Sequence, residues 1–599
     1  MTIKHIIVVL AVAAVSFLMS LQGWKTHFSP DRGQDYDLVV PMEEARQFIE
    51  GGRIPITSGR ASMLASLPPG VSWLLVPGEV IFKDPRLYES VGAGLLFFLT
   101  VFGIMLIGKE IFDTETAIAA ALLYAMSPIG LHFATSLWPR GHPCFVVWTI
   151  LLSLLAVRRS NAKLLASGIL VYAMGLYFFL EIAPLGVIFP IALSANREIR
   201  RPKPSYVLVF VAVVLVWFPW LAEEHKSGFR GALALATNSR LPLADSTHSC
   251  SVQPMYDCSS GKSVDIDDTP PPKKSSLREM VKNILFALTW NTNGRSNFSN
   301  GFLFEPIVGA VLLSWLTVGC LTIITDRRGG ILLGTIIAAG SAIVAVIFDP
   351  WIFTRVVSRV GRIDPVSVPI FRTFESEFLC FSLLLLLFVR RQPTQRTAVG
   401  QSFVGWAFVA GQLFWTVLDG GTNRRFWWLW PLQCLLIAWG AQLVSGARLR
   451  KILLAGLVVI VALNPVLFGH LSSWRKSSWT GADDPMIEML DVVAGQSTRS
   501  TSLSYEGPVQ SWVFLINRID SRYSSDMLFD AYLKLRYGLP NEISCAKGFD
   551  KRSVFFILDE RRFPGCNCFR HSVPSPESYD QIAQREGVTL YKKRLSSAR

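Results

Sequence analysis

About thirteen apolar runs constrain this chain more than anything else in it, because each approaches the length a helix needs to cross a lipid bilayer. A hydrocarbon core of about 30 Å is crossed by roughly 20 apolar residues in helical conformation. The runs lie near 6–22, 88–107, 116–136, 144–157, 164–180, 183–195, 206–222, 303–324, 330–348, 376–389, 402–418, 427–445 and 452–471. Pro184 and Pro190 interrupt the stretch 163–195, where the count is one span or two. The first run is followed by no small-x-small cleavage site and carries Trp24 at its outer edge, so it is read as an uncleaved span. Composition agrees: 51% of residues are hydrophobic and only 17% charged, whereas soluble proteins carry roughly 25% charge. A chain this poor in charge cannot clothe several soluble domains in a water-facing surface. An aromatic content of 12% excludes disorder.

The net charge of +14 would suggest nucleic acid in a soluble protein. Here the basic residues cluster between apolar runs, which is how multi-span proteins set their orientation. Arg158, Arg159 and Lys163 form one cluster, and Arg197, Arg200, Arg201 and Lys203 the next. Arg327 and Arg328, then Arg390, Arg391 and Arg396, then Arg448, Arg450 and Lys451 follow. All five fall on one side of a thirteen-span count, and that side is the cytoplasm. Membrane lipids are therefore expected around the chain and no nucleic-acid partner. The loop with Lys109, Glu110, Asp113 and Glu115 dissents, with mixed charge. The N-terminus is then inside, and the segments 23–87, 223–302 and 472–599 are outside.

These outer segments read differently from one another. In 23–87, Pro41 to Gly52 carries helix punctuation, with Met42, Ala45, Phe48 and Ile49 on one face, and suits a helix on the membrane interface. Pro68 to Phe82 is apolar but about half a span long, as in an interfacial or re-entrant helix. Segment 223–302 has no such pattern and is read as a flexible loop. Segment 472–599 is soluble-like. Its run Val554–Leu558 predicts a buried strand and 524–537 a helix, giving a small C-terminal α/β domain.

Cys144, Cys320, Cys380 and Cys434 fall in or beside spans, where a thiol serves as a small apolar group. Cys250, Cys258, Cys545, Cys566 and Cys568 fall in outer segments, where disulfides are permitted. Cys250 with Cys258 is one candidate bridge. Cys545 with either Cys566 or Cys568 is another, leaving one thiol over.

No phosphate-binding Gly-rich loop, His-Glu-x-x-His or dinucleotide fingerprint occurs, so no nucleotide or other cofactor is required by the sequence. Acids and arginines at the predicted outer surface remain. Asp35 and Asp37 follow the first span, and a carboxylate there can accept a proton from an attacking hydroxyl or amine. Arg60, Arg140, Arg424 and Arg425 can grip a lipid phosphate, or for Arg424 and Arg425 a bulk headgroup. His142 and Glu181 are candidate contacts to substrate or to a divalent cation. Trp427, Trp428 and Trp430 read as an aromatic belt at the membrane interface.

The order of these features resembles the GT-C integral-membrane glycosyltransferases, and within them the bacterial aminoarabinose-lipid A transferase and protein O-mannosyltransferase group. Asp37 stands before the helix-closing Gly51 and Gly52 at the family's spacing. Pro68-Pro69-Gly70 matches its Pro-Pro segment, and Leu122-Leu123-Tyr124-Ala125-Met126-Ser127-Pro128 is similar to its third span. Gly175 to Pro184 is similar to its Gly-Leu segment, and Arg425-Phe426 followed by Pro431 to its Arg-Tyr entry into a late span. The chain departs from the family at Leu38, Leu67 and Glu181, where Glu, Lys and Lys are frequent, and has His142 near the place of a second-loop acid.

The resemblance implies an α-helical polytopic membrane protein of GT-C type over 1–471, with interfacial helices in its first outer loop, and a periplasmic domain over 472–599. It implies a bacterial inner-membrane enzyme that moves a sugar from a polyprenyl-phosphate donor to a lipid, glycan or protein acceptor on the periplasmic side. The reaction would be a single inverting displacement, with Asp37 as base, Asp35 behind it, and Arg425 and Arg424 on the leaving phosphate. The alternative is a transporter or flippase of lipid-linked glycans, which discontinuous helices and a midplane site would favour.

Overall fold

The computed structural model describes residues 7–14, 36–56, 68–82, 85–135, 137, 142–226, 229, 255–257, 262–264, 306–324, 403–412, 427–467, 489, 492–493, 495–496, 501–506, 541–543, 554–559, 578–585 and 588–594. The chain divides into two compact units. One holds Met1–Gly23, Ser90–Pro219 and Ser275–Lys476, and the other Trp24–Glu89, Trp220–Lys274 and Ser477–Arg599. The pieces of the second unit begin and end within a few residues of the three segments read as lying outside, the stretch 275–302 excepted.

In the second unit, helices α1 (Tyr36–Gly51) and α2 (Gly70–Phe82) pack together. Met42 and Ala45 of α1 and Val71 and Leu75 of α2 are buried. Phe48 meets Trp73 edge to face at 5.0 Å. The Ser72 hydroxyl donates to Glu44 Oε2 at 2.7 Å. Helix α1 ends where the sequence says it should: Gly52 takes φ +65° and its N–H donates to Phe48 O at 2.9 Å, a left-handed stop that favours glycine. It begins earlier than expected. Pro41 lies inside the helix rather than opening it, and having no N–H it offers nothing to the carbonyl of residue 37 one turn back. Of the apolar face expected to rest on the membrane interface, Met42 and Ala45 are buried and Ile49 is exposed.

The unit also holds a two-stranded antiparallel hairpin, β1 (Met255–Asp257) with β2 (Lys262–Val264), so the segment read as a loop is not irregular throughout. A five-stranded mixed sheet follows, from β3 (Thr501–Glu506), β4 (Asn541–Ile543), β5 (Phe555–Asp559), β6 (Tyr579–Arg585) and β7 (Val588–Lys593), in the order β4-β3-β5-β7-β6. The strand expected at Val554–Leu558 is β5, one residue displaced. It pairs with β3 in parallel and with β7 antiparallel. The helix expected over 524–537 lies outside the described residues.

The first unit is helical. It holds α3 (Pro85–Ile111) from Ser90 onward, α4 (Thr114–Met126), α5 (Pro128–Thr135), α6 (Pro143–Arg159), α7 (Ala162–Phe178), α8 (Ile188–Ala195), α9 (Arg197–Arg200) and α10 (Pro204–Lys226) as far as Pro219. Later in the chain come α11 (Pro306–Ile324), α12 (Trp430–Gln442) and α13 (Ala447–Leu467). Two helical stretches, Val91–Ile111 and Pro204–Lys226, are long and apolar enough by themselves to cross a membrane among the described residues, and several shorter apolar helices accompany them. The runs expected at 330–348 and 376–389 lie outside the described residues.

Proline and serine decide where the short helices stop. The run 116–136 breaks at Ser127-Pro128 into α4 and α5, because the residue before proline is pushed out of the helical region; Ser127 sits at φ −79°, ψ 153°. The stretch 163–195 holds two apolar helical segments. Helix α7 is followed by a 3-10 helix, Leu180–Val187, that continues into α8. A 3-10 turn rises about 2.0 Å per residue against 1.5 Å in an α-helix, so eight residues of each reach roughly 28 Å, close to a bilayer core.

The loops at one end of this unit explain the dissenting charges. Arg158 Nη1 donates to Glu110 Oε2 at 2.5 Å. Lys451 Nζ lies 3.1 Å from Glu115 and Arg450 Nε 3.8 Å. Asp113 caps α4 by accepting from Thr116 N–H at 2.8 Å and also accepts from Gln442 Nε2. The Asn196 amide donates to Val157 O and to Ser160 Oγ, both at 2.9 Å. The acids of 109–115 are thus the counter-charges of the basic loops 158–163 and 446–451. Close helix contact lies further in: a Cβ on Gly440 would meet the Trp315 carbonyl, and one on Gly319 the Leu436 carbonyl.

Candidate functional site

The end of the helical unit opposite those charged loops gathers the described residues that bear on chemistry. Helices α4 and α12 run antiparallel and are tied at both ends. Gln442 meets Asp113 at the charged end, and Trp430 meets Ser127 at the other, its indole N–H donating to Ser127 Oγ at 2.7 Å. The Ser127 hydroxyl also accepts from Gly130 N–H at 2.9 Å and donates to Tyr124 O at 2.8 Å. A hydroxyl has one donor and two acceptor lone pairs, so this one is fully used. Ser127 and Trp430 are both buried.

His142 caps α6: its Nδ1 accepts from Cys144 N–H at 3.4 Å, and its ring meets Phe133 edge to face at 5.3 Å. Helix α7 returns antiparallel to α6, through a turn in which Ser160 takes a left-handed φ of 50° and Asn161 accepts from Lys163 N–H at 2.9 Å. The start of α6 and the end of α7 therefore share one end of the hairpin, and Phe145 stacks on Phe178 there at 4.8 Å. A Cβ on Gly175 would come within 2.8 Å of Phe145 Cβ. Tyr177 meets Trp217 of α10 at 5.4 Å.

Glu181 is the second residue of the 3-10 helix at this end and is only 2% exposed. Burying a carboxylate among apolar helices is costly enough to need a reason. The 3-10 turn is held from outside, since Tyr172 OH donates to Ala183 O at 2.7 Å and leaves no room for a side chain at Gly186, where a Cβ would stand 2.9 Å from that hydroxyl.

The three tryptophans expected as an interface belt are instead packed inside. Trp427, Trp428 and Trp430 are at most 4% exposed. Trp427–Leu429 form a 3-10 turn that leads into α12. The sequence pattern did not separate a belt from a core, because both are aromatic residues at a helix entry.

Of the residues singled out in the sequence, the structure sets His142 and Glu181 at one end of the α6–α7 hairpin. Asp37 is the second residue of α1; its side chain lies outside the described residues. Asp35, Arg60, Arg140, Arg424 and Arg425 lie outside them, as do Cys250, Cys258, Cys545, Cys566 and Cys568. Cys144, Cys320 and Cys434 are free thiols within the helical unit. Among the described residues, no three His, Cys, Asp or Glu side chains stand together as metal ligands would. Ser127 escaped the sequence reading, where it looks like an ordinary small polar residue in a span. The Ser-Pro break was the available signal.

No curated protein matches the sequence. Among solved structures, ArnT from Cupriavidus metallidurans bound to undecaprenyl phosphate is 12% identical, covers 100% of this chain and 99% of its own, and gives a TM-score of 0.42. The apo state of the same protein, 12% identical over 98% of this chain and 97% of its own, gives 0.38. The Archaeoglobus fulgidus oligosaccharyltransferase in complex with Zn and sulfate is 12% identical, covers 92% of this chain and 68% of its own, and gives 0.38. These structural likenesses are distant. One family model does match, that of the dolichyl-phosphate-mannose-protein mannosyltransferases, over residues 66–221. That stretch runs from α2 almost to the end of α10 and contains Ser127, His142 and Glu181, and over it the resemblance to the GT-C glycosyltransferases is shown.

Proposed function

We propose that the chain is a membrane glycosyltransferase that moves a sugar from a polyprenyl-phosphate donor to a lipid, glycan or protein acceptor. The observation that carries this reading is the family match over residues 66–221, whose namesakes use a lipid-phosphate sugar. The reaction belongs on the periplasmic face of a bacterial inner membrane, with the N-terminus cytoplasmic and 472–599 periplasmic. Support for that orientation comes from the basic clusters between apolar runs.

In the proposed step, the Asp37 carboxylate takes the proton of the acceptor hydroxyl or amine, with Asp35 supporting it. The freed electron pair attacks the anomeric carbon from the face opposite the phosphate. The bond from that carbon to the phosphate oxygen breaks, and polyprenyl phosphate leaves with the electron pair. Arg425 and Arg424, with Arg60 and Arg140, stabilise the charge that grows on the leaving oxygen. One such donor contributes on the order of 3 kcal/mol to the transition state. His142 and Glu181 are assigned to substrate contact, with a divalent cation as the other ligand they could share.

The experiment is turnover by the purified protein in lipid nanodiscs, supplied with radiolabelled polyprenyl-phosphate sugars. Release of polyprenyl phosphate together with labelled acceptor supports the reading. Movement of intact donor between leaflets without release overturns it in favour of a flippase.

A further inference from the structure

We propose that the helical unit carries a site for one anionic phospholipid, with its headgroup phosphate on the cations of the α6–α7 turn and of the α9 region and its acyl chains along α10. This rests on the membrane reading above and on neither the donor nor the acceptor. Two basic clusters distant in the chain are brought together here. The amide of Asn196, the cap of α9, donates to Val157 O and to Ser160 Oγ, both at 2.9 Å. The Tyr206 hydroxyl donates to Ile199 O at 2.5 Å and fixes α9 against the start of α10. Arg159 and Lys163 thus share one patch with Arg197, Arg201 and Lys203.

The fold neutralises the neighbouring cations and leaves these five. Arg158 pairs with Glu110, and Arg450 and Lys451 lie against Glu115. Arg200 is spent on the last turn of α8, where its Nε donates to Leu193 O at 3.0 Å and its Nη2 to Ser194 O at 3.3 Å. Arg159, Lys163, Arg197 and Arg201 are exposed and Lys203 partly so. None of the five has an ion-pair partner among the described residues. Glu198 is the one acid within 158–163 and 196–203. Setting the orientation of a membrane chain requires only that cations lie on one side. Gripping a phosphate requires them together and without counter-charge, and that is how these are held.

The apolar half of the ligand has a place as well. Helix α10 starts at Pro204, directly after Lys203. Its Val207, Leu208, Phe210, Leu215 and Phe218 are each 64–71% exposed. At about 1.5 Å per residue, Val207 to Phe218 extends about 16 Å, half of a bilayer core of about 30 Å and so the depth of one leaflet. A cationic head above an apolar face one leaflet deep matches a phospholipid rather than a free phosphate, and basic pockets beside membrane helices hold anionic headgroups in this way. A second copy of the chain is a poorer occupant of α10. Two copies inserted in the same direction would bring their cationic patches side by side, and like charges at an interface repel.

The test is native mass spectrometry of the purified full chain in detergent, titrated with equal amounts of phosphatidylglycerol and phosphatidylcholine and read at the first lipid bound. The wild type should prefer phosphatidylglycerol by about tenfold. Arg197→Gln with Arg201→Gln, and separately Arg159→Gln with Lys163→Gln, should each lower that preference about fivefold or more. Arg448→Gln with Lys451→Gln removes two cations of the basic loop 446–451 and should change it less than about twofold. All six residues are exposed, and should one patch pair fail to fold, the other carries the test. Equal binding of the two lipids by the wild type, the result expected if a second copy covers α10, overturns the proposal. So does a preference kept by a folded patch pair, a loss of the same size in all three pairs, or displacement of the lipid by glycerophosphoglycerol, the headgroup without chains. A wild-type chain that stays in solution without detergent and binds neither lipid contradicts the membrane reading instead, which separates the two failures.

Discussion

Glu110 and Arg158 form an ion pair at 2.5 Å between the end of α3 and the end of α6, with each side chain about one-third exposed. On sequence grounds the acid stood in a loop that broke the positive-charge pattern. In the fold it is the partner that the pattern requires. An exposed pair contributes little, about 0.2–1 kcal/mol, and salt weakens it. Glu110→Gln is expected to lower the thermal midpoint by about 1 °C or less in low salt, and by still less at about 0.5 M salt. Exchanging the two charges, Glu110→Arg with Arg158→Glu, restores most of the loss. A midpoint that ignores both salt and the exchange would show that the pair contributes nothing to stability.

Glycine substitutions should sort by what surrounds them. At Gly440 a Cβ would press on the Trp315 carbonyl and stand 3.0 Å from Gly319 N, both backbone atoms that cannot step aside. Gly440→Ala should therefore force α11 and α12 apart at a cost of about 1–3 kcal/mol. Gly51 has nothing within 4 Å, and Gly51→Ala, at a helical position, should stabilise by about 0.5–1 kcal/mol. Gly52, one residue later, takes φ +65°, and its alanine variant should lose about 1 kcal/mol. Thermal unfolding of the three variants in one detergent checks the order.

Tyr172→Phe removes the donor to the Ala183 carbonyl and keeps the ring. The loss of one buried hydrogen bond costs about 1 kcal/mol. Because that bond holds the 3-10 turn beside Glu181, the variant should also lower turnover several-fold. Glu181→Gln, which keeps shape and removes the charge, should lower turnover further. Turnover untouched by both variants would mark the 3-10 turn as scaffold only.

The sequence made the helices legible because apolar length is read directly. The observed helices α3, α6, α7, α10, α11, α12 and α13 fall on expected runs. It missed breaks that depend on tertiary support. Ser127-Pro128 looked like the interior of one span, yet the serine hydroxyl and Trp430 stabilise a stop there. Pro41 looked like a helix start, yet α1 begins at Tyr36 with Pro41 inside it. Charge was read loop by loop, so the pairing of Glu110 and Glu115 with distant basic residues could not emerge. Glu181 stood out because an ionisable group between two apolar runs is costly, and His142 because it stands near the place of an acid in the resembled family's second outer loop. Ser127 did not, because a small hydroxyl in a helix ordinarily bonds to its own backbone.

Asp37 as the base of a polyprenyl-phosphate sugar transferase is the central claim, and the most direct measurement is release of polyprenyl phosphate by wild type and Asp37→Asn under single-turnover conditions. Asparagine keeps the size and cannot take the proton, so the expected rate is lowered by about 10²–10⁴-fold, with donor binding and thermal midpoint retained. A variant that releases polyprenyl phosphate at the wild-type rate would contradict the claim.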